Sequence, residues 1–339
     1  MSAPENSELQ AGGNRVAVIT VNYHSEHYLQ QCLTALARQS YQPDRVVVVD
    51  NGSNPDRLDE ILGGYPRVEL LRMPENVGFA SGNNRAVDHI TDCRWIVLLN
   101  VDTIPEPDWL KALMDAANRH PECVFFGSLL MIANSPELID GTGDVYHCSG
   151  RAWRRDHGEP VARGHLATSG TVAPCAAAAM YRYDAWVAAG GLDDSYFCYL
   201  EDIDLGLRLQ LAGHKFLHVP ESVVYHVGSA VTRRHSPHYV YHGQRNLVWT
   251  FVKNMPGRLF WKYLPQHLLL NLLSVVWFIF RGRGLSVLRA KWGALRGLPR
   301  AWRQRQAIQK SRQISVEEFD RLLAHGLAGL LRGSQAPSP

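Results

Sequence analysis

An α/β fold with a mostly parallel, doubly wound sheet, followed by a basic helical extension, is predicted by three observations. Short apolar runs rich in β-branched residues alternate with stretches of helical periodicity through the first half of the chain. Each run stops abruptly at Asn, Asp, Gly or Ser, residues that favour turns. Charge is divided unevenly: residues 228–339 hold 18 Lys and Arg against three acids, a balance of +15, whereas residues 1–227 carry −12. No acid occurs between Ser222 and Val316, so the two parts are expected to meet different partners.

The first run, VAVITVNY (Val16–Tyr23), has the composition of a buried parallel strand. Ser25 and Glu26 then open a helix through Arg38, with Leu29, Cys32, Leu33 and Leu36 on one face. RVVVVD (Arg45–Asp50) is a second strand, stopped by Asn51-Gly52-Ser53. VELLRM (Val68–Met73) is a third and leads to ENVGFASGNN and another helix; RWIVLLN (Arg94–Asn100) is a fourth and ends at Val101-Asp102. Further on, YLEDIDLGLRLQLAG (Tyr199–Gly213) opens a helix with three acids, and its Leu205, Leu207, Leu209 and Leu211 predict that it is well buried.

In the basic part, QRNLVWTFVKNMP reads as a helix, with Arg245 and Asn246 near the preceding domain. LPQHLLLNLLSVVWFIF (Leu264–Phe280) is 17 residues and carries Gln266, His267 and Asn271, short of the roughly 20 apolar residues of a membrane span. It is expected to lie in a membrane interface, with Trp261, Tyr263, Trp277 and Phe278 as anchors and the arginines from Arg281 to Arg305 facing anionic headgroups. The competing reading is a buried helix pair with a solvated basic face. Nucleic acid is not expected as a partner, because no recognition motif accompanies the charge. SVEEFDRLLAHGLAGLL begins with a capping box, Ser315 and Glu318, and predicts a terminal amphipathic helix.

A chain of 339 residues with 46% hydrophobic and 20% charged residues is neither disordered, nor collagen-like, nor a small disulfide scaffold. The six cysteines contain no CxxC pair and read as reduced thiols rather than a zinc site. MSAPENSELQAGGN lacks an apolar signal region, so a cytoplasmic protein is expected.

In open α/β sheets, ligands bind outside the carboxyl ends of the strands. The groups at those ends are Asn22 and Tyr23, then Asp50, Asn51 and Ser53, then Asn76, then Asn100 and Asp102. Singly they are ordinary turn formers; together they predict a nucleotide site. NYHSEHYL after the first strand has no glycine, which excludes a dinucleotide fingerprint, and no Walker A loop is present. Asp102 therefore suggests that a divalent metal, Mg²⁺ or Mn²⁺, holds the diphosphate.

The pieces VITVNYHSEHYLQQCL, VVVVDNGS, ENVGFASGNNRA, LLNVDT and FCYLEDIDLGLRLQLAGHKFLHVPESVVYHVGSA, in that order from about Val16 to Arg234, resemble glycosyltransferase family 2, inverting enzymes of GT-A fold. NVGFASGNN, LLNVD and YLEDIDLGLRL are most similar to its bacterial rhamnosyltransferase-like branch, which extends cell-surface polysaccharides or glycolipids. The resemblance implies a GT-A domain at 15–234; composition and charge add a flexible N-terminus at 1–14, a helical, membrane-associating extension at 235–332 and a frayed tail at 333–339.

It also implies roles. Asp50 would accept the imide N–H of a uracil or thymine ring, with Asn22, Tyr23, Asn51 and Ser53 beside it. Asn76 to Asn83, Phe79 among them, would line the nucleotide-sugar pocket, with Gly78 and Gly82 letting backbone approach the ligand. Asp102 would be the metal-binding residue of a DxD signature whose first position is here Asn100, a residue without charge. His226 would complete the metal site; its alternative is to cap a strand end. Asp202 would be the general base and Glu201 would orient the acceptor, although acids in a first helical turn also simply suit the helix dipole. Asp204 is assigned a structural role, pairing with Arg208 at i+4. Gly141–Glu159 reads as a mobile loop over the donor, and its Arg151, Arg154 and Arg155 touch either an anion or solvent. Cys175 reads as a small apolar wall residue.

The function expected on this basis is inverting transfer of a sugar from a UDP- or dTDP-sugar, dTDP-L-rhamnose among them. The acceptor would be polyprenyl-linked or a polysaccharide, at the inner face of the cell membrane, with residues 258–305 on the anionic surface. The alternatives are a sugar-phosphate nucleotidyltransferase and a catalytically silent glycan- or membrane-binding scaffold.

Overall fold

A computed structural model of the chain describes residues 13–162, 171–228 and 236–326. The expectations for the first twelve residues, for the end of the GT-A segment at 234 and for the tail lie outside the described residues.

The four predicted strands form as expected: β1 (Val16–Asn22), β2 (Arg45–Asp50), β3 (Val68–Arg72) and β4 (Trp95–Leu99). Between them run α1 (Glu26–Ala37), α2 (Pro55–Leu62) and α3 (Gly78–His89). All four strands are parallel, in the order β3-β2-β1-β4, so the switch in strand order falls between β1 and β4. Helix α3 starts at Gly78, inside the ENVGFASGNN motif, which therefore supplies a helix start rather than only a loop.

The sheet continues past β4. After β5 (Thr103–Pro105) and α4 (Trp109–Arg119) come β6 (Cys123–Ile132), β7 (Ser135–Gly141) and a hairpin of β8 (Asp144–Tyr146) with β9 (Ala152–Arg154). Then follow β10 (Ala178–Arg182), α5 (Tyr183–Ala189), α6 (Glu201–Leu211) and β11 (Lys215–His226). The full order is β3-β2-β1-β4-β10-β6-β11-β5, with β7 on the side of β6. The strand β10 is antiparallel to both neighbours, which makes the sheet mixed. Two apolar layers sandwich it, one around Leu29, Leu33 and Trp109, the other around Ile19, Phe125 and Tyr181.

Gly141–Glu159 is not a mobile loop over the donor. Gly141 to Gly150 are buried, Asp144 pairs with Arg154 across the β8–β9 ladder, and Asp144 also exchanges backbone hydrogen bonds with the 172–173 segment (2.8 Å each). Those backbone partners are remote in sequence, so glycine content alone misleads here.

Helix α6 is buried along its length, Leu205, Leu207, Leu209 and Leu211 included. It lies directly on the 172–173 segment: a Cβ on Gly206 would stand 2.4 Å from the Ala173 Cβ and 2.9 Å from the Val172 carbonyl oxygen. Gly206→Ala is expected to cost about 1–3 kcal/mol through overpacking, read as a lower urea midpoint with an unchanged slope. An unchanged midpoint would show that α6 can shift freely.

Four helices close the described chain: α7 (Pro237–Asn254), α8 (Gly257–Phe280), α9 (Gly284–Ser311) and α10 (Val316–Leu322). The Ser315–Glu318 capping box is present, and α10 stops at Leu322. The extension shares one core with the preceding domain, in which Tyr146, Tyr196 and Leu207 pack with Trp249, Phe251 and Phe260. Helix α8 is long and apolar enough to cross a membrane by length and composition. One side is docked: Leu259, Phe260, Tyr263 and His267 are buried, and His267 bonds the Ser149 carbonyl (2.8 Å). Its other side leaves Leu268, Leu269, Leu272, Leu273 and Phe280 exposed, Phe280 by 84%. The buried-pair reading of α8 is therefore overturned: only 17% of its apolar window is covered.

Candidate active site

The carboxyl ends of β1 and β2 form a hydrogen-bonded rim with the start of α3. Asn22 Nδ2 donates to Ser53 Oγ (2.8 Å), while its Oδ1 is buried without a partner. Asp50 Oδ1 accepts from the Ser53 backbone N–H (2.9 Å), and its Oδ2 has no partner among the described residues. Asn51 holds the α3 entrance, donating to Asn76 Oδ1 (3.0 Å) and accepting from the Val77 N–H (2.9 Å). Tyr23 is 37% exposed at the edge of this rim. Sequence reasoning placed these residues together, and they are together.

The reason for the glycines differs from expectation. A Cβ on Gly78, whose φ is +87°, would meet the Phe197 ring at 2.6 Å, and one on Gly82 would meet Val21 at 3.3 Å. Both leave room for protein, not for a ligand. Phe79 is half-buried against the core, and Asn83 is buried, bonding back to the Phe79 carbonyl (2.9 Å). These two support α3 rather than reach into an open pocket.

A second cluster surrounds Asp102. The turn after β4 leads into β5, which pairs antiparallel with the end of β11, so that Thr103 faces His226. That register brings His226 Nε2 to 3.4 Å from Asp102 Oδ1. On the other side, His226 Nδ1 lies 2.7 Å from Asp140 Oδ2 at the end of β7. Asp140 is also paired with Arg154 and with His157. Burial opposes ionisation of all three central groups, yet the Arg154 charge on Asp140 and the pairing of His226 with Asp102 and Asp140 prevail. Asp102 and Asp140 are held below the ordinary carboxylate range, and His226 is pushed above the ordinary histidine value. Asn100, half-buried, uses its backbone oxygen to accept from Thr103 Oγ1 (2.5 Å). Arg154 is thus half-buried and ion-paired to Asp140, its side chain 29% exposed, so it is not simply a solvated surface residue. Asp140 went unrecognised, since only the β6–β7 pairing brings it to His226.

The third cluster is at the start of α6. Asp202 accepts from the Ala176 N–H (3.1 Å) and the Ile203 N–H (2.8 Å), one with each oxygen. Its ligand atoms and those of Asp144 and Cys175 lie within 4.8 Å of one another. Burial, and then the neighbouring Asp202 charge, push Asp144 well above the carboxylate range. Burial raises Asp202 as well, so the two carboxyls titrate as a pair, and the surroundings favour the protonated form more strongly at Asp144 than at Asp202. Burial also pushes Glu201 up, and its Oε2 is enclosed without a partner among the described residues, so Glu201 is an interior group at the start of α6. Cys175, nearly buried with its thiol raised by burial, is the inert wall expected of it. The guanidinium of Arg154 acts on Asp140, Asp144 and Asp202 alike, which links this cluster to the second.

The turn that aims α6 is unusual: Phe197, Tyr199 and Leu200 all have φ between 65° and 70°, a strained region for such residues. Asn246 of α7, fully buried, donates to the carbonyls of Tyr196 (3.0 Å), Cys198 (2.9 Å) and Tyr199 (2.8 Å). Asp204 faces away from Asp202 and bonds Arg208 (2.9 Å) as expected, together with Lys253 (2.9 Å) and Asn254 (2.8 Å). The lysine was not anticipated.

Residues 17–185 match the model of glycosyl transferase family 2. Among proteins of known activity, the chain is 27% identical over 269 residues to an N-acetylglucosaminyl-diphospho-decaprenol L-rhamnosyltransferase of Mycobacterium tuberculosis, covering 68% of this chain and 85% of that one. Among solved structures, it is similar to GalNAc-T7 with UDP, GalNAc and Mn²⁺ (TM-score 0.58, 15% identity), covering 70% of this chain and 48% of that one, about half its length. It is also similar to the mannosyltransferase PcManGT of Pyrobaculum calidifontis in complex with GDP-Man and Mn²⁺ (TM-score 0.52, 17% identity), covering 96% and 88%. Both are likenesses of fold. The chain belongs to glycosyl transferase family 2: it is a glycosyltransferase of GT-A fold.

Proposed function

We propose that this glycosyltransferase moves a sugar, with inversion, from a UDP- or dTDP-sugar to a polyprenyl-diphosphate-linked acceptor at a membrane face. dTDP-L-rhamnose is the donor we favour, supported by the similarity to the mycobacterial rhamnosyltransferase. The observation that carries the reading is the line of charge from Asp202 and Asp144 through Arg154 to Asp140, His226 and Asp102. It sets a proton acceptor on one side and a diphosphate-handling group on the other, as an inverting displacement needs.

Asp202 accepts the proton of the acceptor hydroxyl as its oxygen bonds the sugar C1, and the electron pair of the old bond leaves with the nucleoside diphosphate. Arg154 offers fixed positive charge between the two clusters. Asp50, with one oxygen anchored by Ser53 and the other available, receives the base imide N–H. Asp102 and His226 would hold a divalent metal, whose charge offsets that of the diphosphate. The pair fits such an ion: both are buried, they converge at 3.4 Å, and the Asp140–His226 bond orients the imidazole as carboxylates do for metal-ligating histidines. The exposed apolar side of α8 supports a place on the membrane surface, and we place it on the cytoplasmic face.

Thermal unfolding with UDP-, dTDP-, GDP- and CDP-sugars tests this reading, each with Mn²⁺ and with EDTA. A UDP- or dTDP-sugar with Mn²⁺ should stabilise the fold by about 2–3 kcal/mol at a hundredfold excess over Kd. EDTA, or Asp102→Asn, should remove most of that gain. Stabilisation by GDP- or CDP-sugars alone would sink the Asp50 assignment, and an EDTA-insensitive gain would sink the metal.

A further inference from the structure

Between α7 and α9 runs a groove of about 490 Å³ lined by four arginines, Arg245, Arg289, Arg296 and Arg300. Trp249 also lines it, with Arg245 over its ring at 4.4 Å and Arg300 likewise at 4.4 Å. Arg296 stacks on Trp292 at 5.0 Å. The helices come close enough to gather these groups because α9 presents glycines there: a Cβ on Gly297 would stand 2.4 Å from the Trp249 ring.

Among the described residues no carboxylate forms a salt bridge with any of the four arginines. Asp193, whose carboxyl feels the Arg300 charge, is already bonded by Lys253 (2.6 Å) and Gln304 (2.9 Å). The Nε and one terminal nitrogen of Arg300 are buried and have no hydrogen-bond partner. Buried donors of this kind are costly unless something accepts from them. Arg289, Arg296 and Arg300, none of them in a salt bridge among the described residues and each with a fork that matches phosphate oxygens, suit a multiply charged diphosphate better than a singly charged phosphodiester.

What carries that diphosphate follows from the neighbouring face. On α9, Arg289, Arg296 and Arg300 recur at i, i+7 and i+11 and form one row. Leu288, Trp292 and Leu295 form the next row round and are 53–57% exposed. Val287, Ala290, Ala294 and Ala301 are buried on the opposite side. A charged row beside an exposed apolar row suits a ligand with a phosphate head and a hydrocarbon tail. A free phosphate or a nucleic acid would leave the apolar row in water.

We propose that this groove binds the diphosphate head of a membrane-anchored lipid, the tail lying along the apolar row of α9. The proposal rests on the acceptor class given under Proposed function and places that acceptor's anionic group. The link to catalysis is Arg245, which besides lining the groove donates to the carbonyls of Ser195 (2.8 Å) and Tyr196 (2.8 Å), at the entrance to the turn that aims Asp202.

The test is direct binding to the full chain, followed by tryptophan fluorescence and calorimetry, using farnesyl diphosphate, farnesyl monophosphate and inorganic diphosphate. Farnesyl diphosphate should bind at least ~10-fold more tightly than either of the others, and Arg289→Gln/Arg296→Gln should weaken it ~10-fold or more. Both arginines are exposed, so folding is not at issue. Arg57→Gln/Arg119→Gln, which removes the same charge from the sheet domain, should leave binding unchanged. Equal affinity for inorganic and farnesyl diphosphate would overturn the proposal in favour of a free-anion site. Binding that needs only phosphatidylglycerol in phosphatidylcholine vesicles would overturn it in favour of bulk headgroups. Displacement of farnesyl diphosphate by a single-stranded oligonucleotide would overturn it in favour of nucleic acid. A transfer assay separates this proposal from the reading beneath it. If wild type binds farnesyl diphosphate yet glycosylates no lipid-linked acceptor, the acceptor reading fails and the site stands. If wild type does glycosylate such an acceptor and the double variant keeps the same KM, the site fails and the reading stands.

Discussion

Asp202→Asn should lower turnover by about 10³-fold while leaving the affinity for the nucleotide-sugar nearly unchanged. A positioned general base contributes about 10²–10⁴, and an amide cannot take up the acceptor's proton. Asp202 does not belong to the β1–β2 rim or to the Asp102 cluster, so donor binding should survive. Some stability should be lost, because each carboxylate oxygen accepts a backbone N–H and the Asn amide nitrogen would face one of those donors, at about 1–3 kcal/mol. The contrast that gives the test its force is Asp144→Asn. Burial and the Asp202 charge favour the protonated form of Asp144, so a neutral amide there should cost less than about tenfold in kcat. The acid limb of the wild-type profile should follow Asp202, whose carboxyl burial raises: activity falls as pH drops through that raised value, since only the ionised form accepts a proton. A dead Asp144→Asn beside an active Asp202→Asn would move the base to Asp144. Loss of turnover in Asp202→Asn with donor binding kept would also end the silent-scaffold alternative.

The parts of this molecule that could be read from sequence are those whose cause is local. The runs of β1 to β4 and their turn-forming stops announce themselves by composition, and the strand ends meet because a parallel sheet places them on one edge. The leucines of α6 and the Ser315 capping box are likewise short-range signals. The residues missed have partners dictated by distant pairing. Asp140 reaches His226 only because β6 carries β7 on one side and β11 on the other. Asp144 reaches Asp202 only because the 172–176 segment lies between β8 and α6. Nothing in ELIDGTGDVY distinguishes these carboxylates from turn formers. Gly78 and Gly82 show the opposite error, in which correctly noticed glycines received the wrong neighbour. The space they leave is filled by Phe197 and Val21, and only the packed structure says so.

Lys253→Met should destabilise the fold by about 3–5 kcal/mol near neutral pH, the usual consequence of removing one partner from a buried ion pair. Lys253 is 2% exposed and bonds both Asp193 (2.6 Å) and Asp204 (2.9 Å). Its ammonium also lies over the Tyr196 ring at 4.9 Å. Without it, two enclosed carboxylates that repel one another keep Arg208, Asn254, Gln304, the Ser195 N–H, nearby hydroxyls and the more distant Arg300 charge. The pH dependence distinguishes this cause from lost packing. In the wild type, both carboxyls are held below their ordinary range despite burial, Asp193 and Asp204 each by the Lys253 charge. Their contribution is therefore present above the unfolded carboxylate pKa of about 3.9 and is lost as pH falls through the depressed values. In Lys253→Met one of the two should instead be raised and take up a proton on mild acidification, which relieves the repulsion. The stability gap between variant and wild type, measured by urea unfolding, should thus narrow as pH is lowered from neutral towards the carboxylate range. A gap that stays constant with pH would assign the loss to packing, and a loss under about 1 kcal/mol would mean that water reaches the pair. Because Asp204 lies two residues beyond Asp202 on the same buried helix, the variant should also lower kcat at temperatures where it is still folded. The network that fixes α6 against α7 is in this way a condition for aiming the base, even though none of its members touches the reacting atoms.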